Sequence, residues 1–249
     1  MKISLITPTY NSEKTISRTI DSIVAQNYSN LEYIIVDGAS SDRTLEIVKG
    51  YQGEIDIKLI SEPDRGLYDA MNKGIKMATG EIIGILNSDD LFKSDNVLSL
   101  VAESFADNNV DAVYGDITYF ADNEKVVKRY WHSGVYSEGS LNNGWTIPHP
   151  ALYLRKSVYD RFGLFNTNFK IAGDYEFILR LLKKHKINLK YLPHVFVNMY
   201  EGGISGRNLE QRRKGWAELK KAWVVNGFKV PNLFILRRVL FKISQIIFK

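Results

Sequence analysis

Through the first half of the chain, short runs of β-branched and other apolar residues alternate with segments of helical spacing, and that alternation leaves few folds open. Residues 3–7, 31–37, 57–62, 82–86 and 111–114 read as strands. Residues 13–25, 43–51, 68–78 and 96–108 read as helices, the first with Ile16, Ile20, Ile23 and Val24 at helical spacing. Strands separated by helices pair in parallel, and a parallel sheet is covered on both faces. The expectation is an α/β fold with a mostly parallel central sheet and helices on both sides.

The second half is less regular. Residues 117–120 and 125–130 suit a hairpin, 133–146 read as a mobile loop rich in Gly, Ser and Asn, 151–154 and 195–200 as strands, and 174–185 as a helix. After Gly206 the character changes. Residues 207–249 hold 11 Lys and Arg against 2 Asp and Glu, so the chain's net charge of +5 hides a tail of +9 on a main body of −4. We expect two parts, a domain at 1–206 and a basic helical tail at 207–249. The chain has no cysteine, which excludes disulfides, thiolate metal sites and a Cys nucleophile. No stretch approaches the roughly 20 apolar residues of a membrane span, and Pro8 breaks the first apolar run too early for a signal peptide.

In open α/β sheets, ligands sit at the carboxyl ends of the strands. Four successive strand ends here carry polar loops: Thr7-Pro8-Thr9-Tyr10-Asn11, Asp37-Gly38-Ala39-Ser40-Ser41-Asp42, Glu62-Pro63-Asp64-Arg65-Gly66 and Asn87-Ser88-Asp89-Asp90. Each alone is an ordinary turn or cap. Together they put carboxylates, hydroxyls and a guanidinium on one rim. Asp89 and Asp90, at the mouth of a buried strand, offer hard oxygen ligands suited to Mg²⁺ or Mn²⁺ beside substrate phosphates.

Thr7-Pro8-Thr9-Tyr10-Asn11, Val36-Asp37-Gly38-Ala39-Ser40-Ser41-Asp42-Arg43-Thr44 and Leu86-Asn87-Ser88-Asp89-Asp90, in this order and rough spacing, resemble the signature of family 2 glycosyltransferases with the GT-A fold. The run from Glu62 to Gly74 is similar to the branch that builds bacterial O-antigen and other surface polysaccharides. The resemblance covers about residues 1–205. It implies an inverting transferase using a nucleotide-sugar donor, usually a UDP-sugar, a divalent metal, and a glycan or polyprenyl-linked acceptor. Thr9 and Asp37 match positions that contact the base, and Arg65 a basic position near base and phosphates. Asp89 matches the metal-binding end of the family's Asp-x-Asp motif, whose first position is Asn87 here; Asp90 is a second candidate for metal or ribose. Thr7, Pro8, Tyr10, Asn72 and Ser88 complete the implied donor set.

Asp174 opens a predicted helix in Gly173-Asp174-Tyr175-Glu176. An acid there complements the helix dipole, but the resemblance implies the catalytic base, in a motif that is commonly Glu-Asp and is Gly-Asp here. His149, in Pro148-His149-Pro150, matches a family His on the acceptor side. Trp131 and Trp145 suit either sugar stacking or the core, and Gly202-Gly203-Ile204-Ser205 a turn over the diphosphate.

In the tail, Leu233, Leu236, Leu240, Ile243 and Ile247 share one helical face, and Arg238, Lys242, Gln245 and Lys249 the other. Such a helix lies on an anionic membrane, or packs on the domain with its charged face in solvent. We expect the former, hence a cytoplasmic protein peripheral on the inner face of the cytoplasmic membrane. Nucleic acid is a poorer partner, since the tail has no motif for it and the main body is acidic. Two further readings are a metal-dependent nucleotidyltransferase, which lacks its Gly-rich triphosphate loop here, and a non-catalytic membrane-surface module.

Overall fold

A computed structural model of the chain describes residues 1–120, 127–200 and 209–247. The parallel half of the sheet follows the strand–helix alternation. Strand β1 (Ile3–Thr9) pairs in parallel with β2 (Leu31–Asp37) on one side and β4 (Ile82–Ile85) on the other, and β2 pairs with β3 (Ile57–Ser61). Between them run α1 (Ile16–Val24), α2 (Thr44–Gly50) and α3 (Leu67–Met77). The carboxyl ends of all four strands therefore open on one rim. Gly66, at φ 117, turns the chain into α3.

After β4 the sheet turns mixed. The two-residue β5 (Leu91–Phe92) and α4 (Val97–Ser104) lead to a long β6 (Ala112–Phe120), which merges two expected strands. Strand β7 (Val127–Trp131) folds back on β6 as the expected hairpin, whose connection lies outside the described residues. Strand β8 (Leu152–Arg155) lies antiparallel between β4 and β6. Helices α5 (Lys156–Phe162) and α6 (Gly173–Leu179) follow, the latter continuing through a wider turn at Arg180–Lys184. Strand β9 (Leu189–Tyr200) joins β6 in parallel and carries β5 at the edge. The order across the sheet is β3-β2-β1-β4-β8-β6-β9-β5.

Two apolar cores cover the two faces of this sheet. One gathers Ile16, Ile20 and Val48 with Leu98, Val101 and Phe105; the other gathers Met71, Ile75, Tyr175, Phe177, Trp223 and Phe234. The second draws on α7 (Leu209–Val225) and α8 (Phe234–Ile247). Phe234 packs edge and face against Trp223 and Tyr175. The boundary expected at 206/207 and the Gly202–Ser205 turn lie outside the described residues.

One expectation is corrected. Residues 133–146 are not a loose loop: they contain a helical turn at Ser140–Asn143, bury Leu141, and set Gly144 against the backbone of Arg238 on α8. Trp131 and Trp145 are core residues, and the Trp145 indole donates to the Ser133 carbonyl at 2.5 Å. The tail helix packs inward through Phe234, Ile235, Phe241 and Arg238, and the apolar row read from the sequence faces outward. Arg238 donates to the Gly144 carbonyl at 3.0 Å and lies 5.0 Å over the Tyr175 ring. Leu233, Leu236, Leu240 and Ile243 point outward, between 43% and 68% exposed.

Candidate active site

The parallel register makes the rim. Thr9 pairs with Asp37, and Asp37 with Ser61, so three strand ends finish level. Asp37 is buried, and its carboxylate accepts the Ser40 hydroxyl and N–H and the Ser61 hydroxyl at 2.7 Å. Thr9 beside it is also buried, and its hydroxyl has no hydrogen-bond partner. An orphaned buried hydroxyl is costly unless a ligand completes it. Tyr10 stands out from the rim, 63% exposed, as a free aromatic face. Gly38 lies so close to Asp64 that a Cβ would fall 2.5 Å from its carboxylate. Arg65 is exposed and pairs with Asp69 at 3.1 Å.

Three of the implied donor contacts are not brought into the cleft. Thr7 and Pro8 are buried inside β1, where the Thr7 hydroxyl accepts from Tyr33 at 3.2 Å. Asn72 uses both ends of its amide on the Phe165 main chain, at 2.9 and 3.0 Å. It braces the segment that leads to Asp174.

The β4 end carries the carboxylate corner. Ser88 meets the Ser12 hydroxyl at 2.8 Å, fastening this loop to the one after β1. Asp90 is buried, and burial together with the Asp89 charge pushes its carboxyl well above the usual range. Two crowded carboxylates of this kind are relieved by a cation. Asn87 donates to Asp90 at 2.8 Å, while its own carbonyl oxygen is buried without a partner. Among the described residues no group of three or more His, Asp or Glu could hold a metal by itself. The donor set thus fits a divalent ion that takes one or two carboxylates from the protein and fills its shell with waters and phosphate oxygens.

Because β8 runs antiparallel to β4, its entry segment returns to the same rim. That puts His149 3.3 Å from the Asn87 amide nitrogen and 3.6 Å from Asp174. With the Asn87 amide donating to Nε2, the ring carries its proton on Nδ1, facing Asp174. At 3.6 Å this Nδ1–H to carboxylate contact is a long one. Burial alone would raise the Asp174 carboxyl; the His149 ring, the Tyr175 N–H and Arg238 outweigh it and hold the group below its ordinary value. Asp90, Asn87, His149 and Asp174 thus form one contiguous chain from the carboxylate corner to the candidate base.

Three residues outside the expected site set Asp174 in place, two of them by acting on it directly. The Tyr68 hydroxyl lies 3.2 Å from Asp174 and 3.0 Å from the Ile171 carbonyl. Its ring sits 2.7 Å from where a Cβ on Gly173 would be, which explains why no side chain stands there. Glu218 on α7 accepts the N–H groups of Lys170, Ile171 and Ala172 at 2.8–2.9 Å and so fixes the entry to α6. Arg238 reaches Asp174 from α8 through charge. Tyr68 lies in the Glu62–Gly74 run already singled out; nothing local to Glu218 or Arg238 signals these long-range contacts.

Residues 4–169 match the model of Glycosyl transferase family 2. The chain belongs to that family. A PGL/p-HBAD biosynthesis glycosyltransferase of Mycobacterium bovis is 30% identical over 207 residues, covering 81% of this chain and 78% of the relative. The chondroitin synthase of Pasteurella multocida is 26% identical over 215 residues, 85% of this chain but 22% of that longer protein. Among solved structures, S. aureus TarS 1–349 superposes with a TM-score of 0.70 at 20% identity, over 98% of this chain and 73% of that one. A mannosyltransferase of Pyrobaculum calidifontis, in complex with GDP-Man and Mn²⁺, gives 0.69 at 22% identity, over 96% and 68%. The shared architecture is the GT-A fold that the strand-end motifs implied.

Proposed function

We propose that this glycosyltransferase inverts the anomeric carbon as it moves a sugar from a UDP-linked donor to an acceptor hydroxyl, in the synthesis of a bacterial surface polysaccharide or glycolipid. The observation that carries this is the line Asp90–Asn87–His149–Asp174, which joins a donor-side carboxylate corner to a single base facing the same cleft. The nucleotide lies along Thr9, Tyr10, Asp37 and Arg65, with Ser88 tying the donor-side loops together. The TarS structure in complex with UDP-GlcNAc fits this reading.

Asp174 accepts the proton of the acceptor hydroxyl as its oxygen bonds to the anomeric carbon. The bond from that carbon to the diphosphate breaks, its electron pair leaves with the phosphate oxygen, and UDP departs. Held below its ordinary pKa, Asp174 is ionised and ready at neutral pH. His149 and Tyr68 orient its carboxylate. A divalent cation held by Asp89, with Asp90 beside it, would supply charge stabilisation to the departing diphosphate. One base suffices, and no protein nucleophile is required.

The outward apolar row on α8 supports contact with a lipid surface, where a polyprenyl-linked acceptor resides. Among the described residues no helix is long and apolar enough to cross a membrane.

A thermal-shift screen of UDP- and GDP-sugars, with and without Mn²⁺ or Mg²⁺, tests the proposal. A donor at 100 times its Kd stabilises the native state by about 2.7 kcal/mol, roughly 5–10 °C for a chain of this size. A shift with UDP-sugars that disappears in chelator is expected. A chain that responds to no nucleotide sugar, or only to nucleoside triphosphates, refutes it.

A further inference from the structure

We propose that Arg129, Arg238 and Lys242 form a subsite for a phosphate group carried by the acceptor, beside the carboxylate of Asp174. The inference rests on the reading of that cleft as the site of sugar transfer.

The three cations come from two elements, β7 and α8, that pack against each other beside Asp174. Among the described residues, none of the three has a carboxylate within ion-pair distance. Arg129 stacks over Tyr119 at 4.5 Å and Trp131 at 5.3 Å, and donates weakly to Gln245 at 3.4 Å. Its Nε is buried with no hydrogen-bond partner. Arg238 has the Gly144 carbonyl and the Tyr175 ring. Lys242 is an exposed residue at the edge of this group, and its amine lies within the field of Arg238 and Arg129, which disfavour its charge. Among the described residues Asp174 is the one carboxylate whose charge Arg238 and Lys242 sense, so three cations face a single negative charge, and an anion bound between them offsets the excess.

The topology says whose anion it is. The nucleotide loops stand at the ends of β1, β2, β3 and β4, one half of the sheet. The cations stand over β6 and β7, on the other side of β8. Tyr119 on β6 lies between, sensing Arg129 and Arg238 together with Asp90 and Asp174. An acceptor whose hydroxyl meets Asp174 therefore extends away from the donor and toward the cations. Helix α8 also carries exposed Leu236, Leu240 and Ile243 on its far side. A helix is about 10 Å thick, so a phosphate on the inner face lies close to a lipid surface on the outer one. The chemistry recognised is a phosphate monoester or diphosphate; a lipid-linked acceptor and a phosphate-bearing glycan both present it.

The test is calorimetric titration of the full chain with farnesyl diphosphate, and separately with inorganic diphosphate, at saturating UDP and Mn²⁺ so that the donor site is filled. Saturable binding is expected, weakened at least tenfold in Lys242→Gln and in Arg129→Gln, with the Kd for UDP unchanged. Lys242 is exposed, so its variant folds; the melting temperature of both variants checks this. Tighter binding of farnesyl diphosphate than of inorganic diphosphate points to a lipid-linked acceptor, and equal binding to recognition of phosphate alone. The proposal is overturned if neither ligand binds while UDP is bound, if both variants bind like wild type, or if the variants weaken UDP instead, which assigns the cations to the donor. Failure of the wild-type chain to bind UDP at all would strike the transferase reading itself.

Discussion

Replacing Gly144 by Ala should show whether α8 belongs to the working cleft. Gly144 sits at φ 86, and a Cβ there would lie 2.3 Å from the Arg238 Cα and 2.7 Å from its amide nitrogen. Backbone atoms cannot rotate away, so helix or loop must move. Left-handed backbone costs an Ala about 1–2 kcal/mol, and overpacking of this kind about 1–3 kcal/mol more. The sum predicts a melting temperature lower by roughly 4–20 °C. Gly227→Ala is the control, because Gly227 has nearly the same φ, 83, with nothing within 4 Å of its Cβ. It should cost only the backbone share. If the helix lifts off to relieve the contact, Arg238 leaves Asp174 and transfer falls while UDP binding persists. Paired melts and transfer assays of the two variants decide the matter. Equal melting temperatures for both, with wild-type transfer in Gly144→Ala, would refute the docking of α8 through Arg238 against Gly144.

Other perturbations follow from the same geometry. Asp174 is depressed in the folded state, so the stability it contributes is present above its unfolded pKa and is lost as pH falls through the folded one; the acid limb of kcat/KM should therefore lie at or below the ordinary carboxylate range. His149→Ala removes a partner that lowers this group and leaves burial, which raises it, so the acid limb should move to higher pH; an unmoved limb removes His149 from that role. Glu218→Ala frees three N–H groups at the entry to α6, at about 1–3 kcal/mol, and should lower kcat with the Kd for UDP unchanged; wild-type kcat would show that α6 holds its place without α7. Leu240→Ser with Ile243→Ser should reduce sedimentation with anionic lipid vesicles several-fold while leaving the melting temperature unchanged, and undiminished sedimentation would rule out α8 as the contact.

The parallel half of the fold was legible because its signals are local. Buried strands such as Leu31–Asp37 read as apolar runs, the intervening helices show one apolar stripe each, and polar residues at strand ends mark the rim. The roles proposed for Asp89 and Asp174 rest largely on their motifs. The mixed half resisted for physical reasons. Strand β5 is two residues long and exists only because β9 pairs with it. The helix of residues 156–162 is short and follows directly on a strand. Thr7 and Asn72 lie within donor-like segments, yet one faces Tyr33 and the other Phe165, contacts that no spacing rule anticipates. The tail shows the sharpest limit. Its pattern picks out the apolar row, but periodicity cannot say that the row stays outside while Phe234, Ile235 and Phe241 pack inward and Arg238 finds an aromatic ring, a carbonyl and the field of a carboxylate.

The most direct measurement is transfer by Asp174→Asn beside its affinity for UDP with Mn²⁺. Removing a general base from an otherwise intact site should slow turnover by about 10²–10⁴-fold, with the UDP Kd within twofold of wild type. Transfer at the wild-type rate would contradict the assignment of Asp174 as the base, and with it the mechanism built on this cleft.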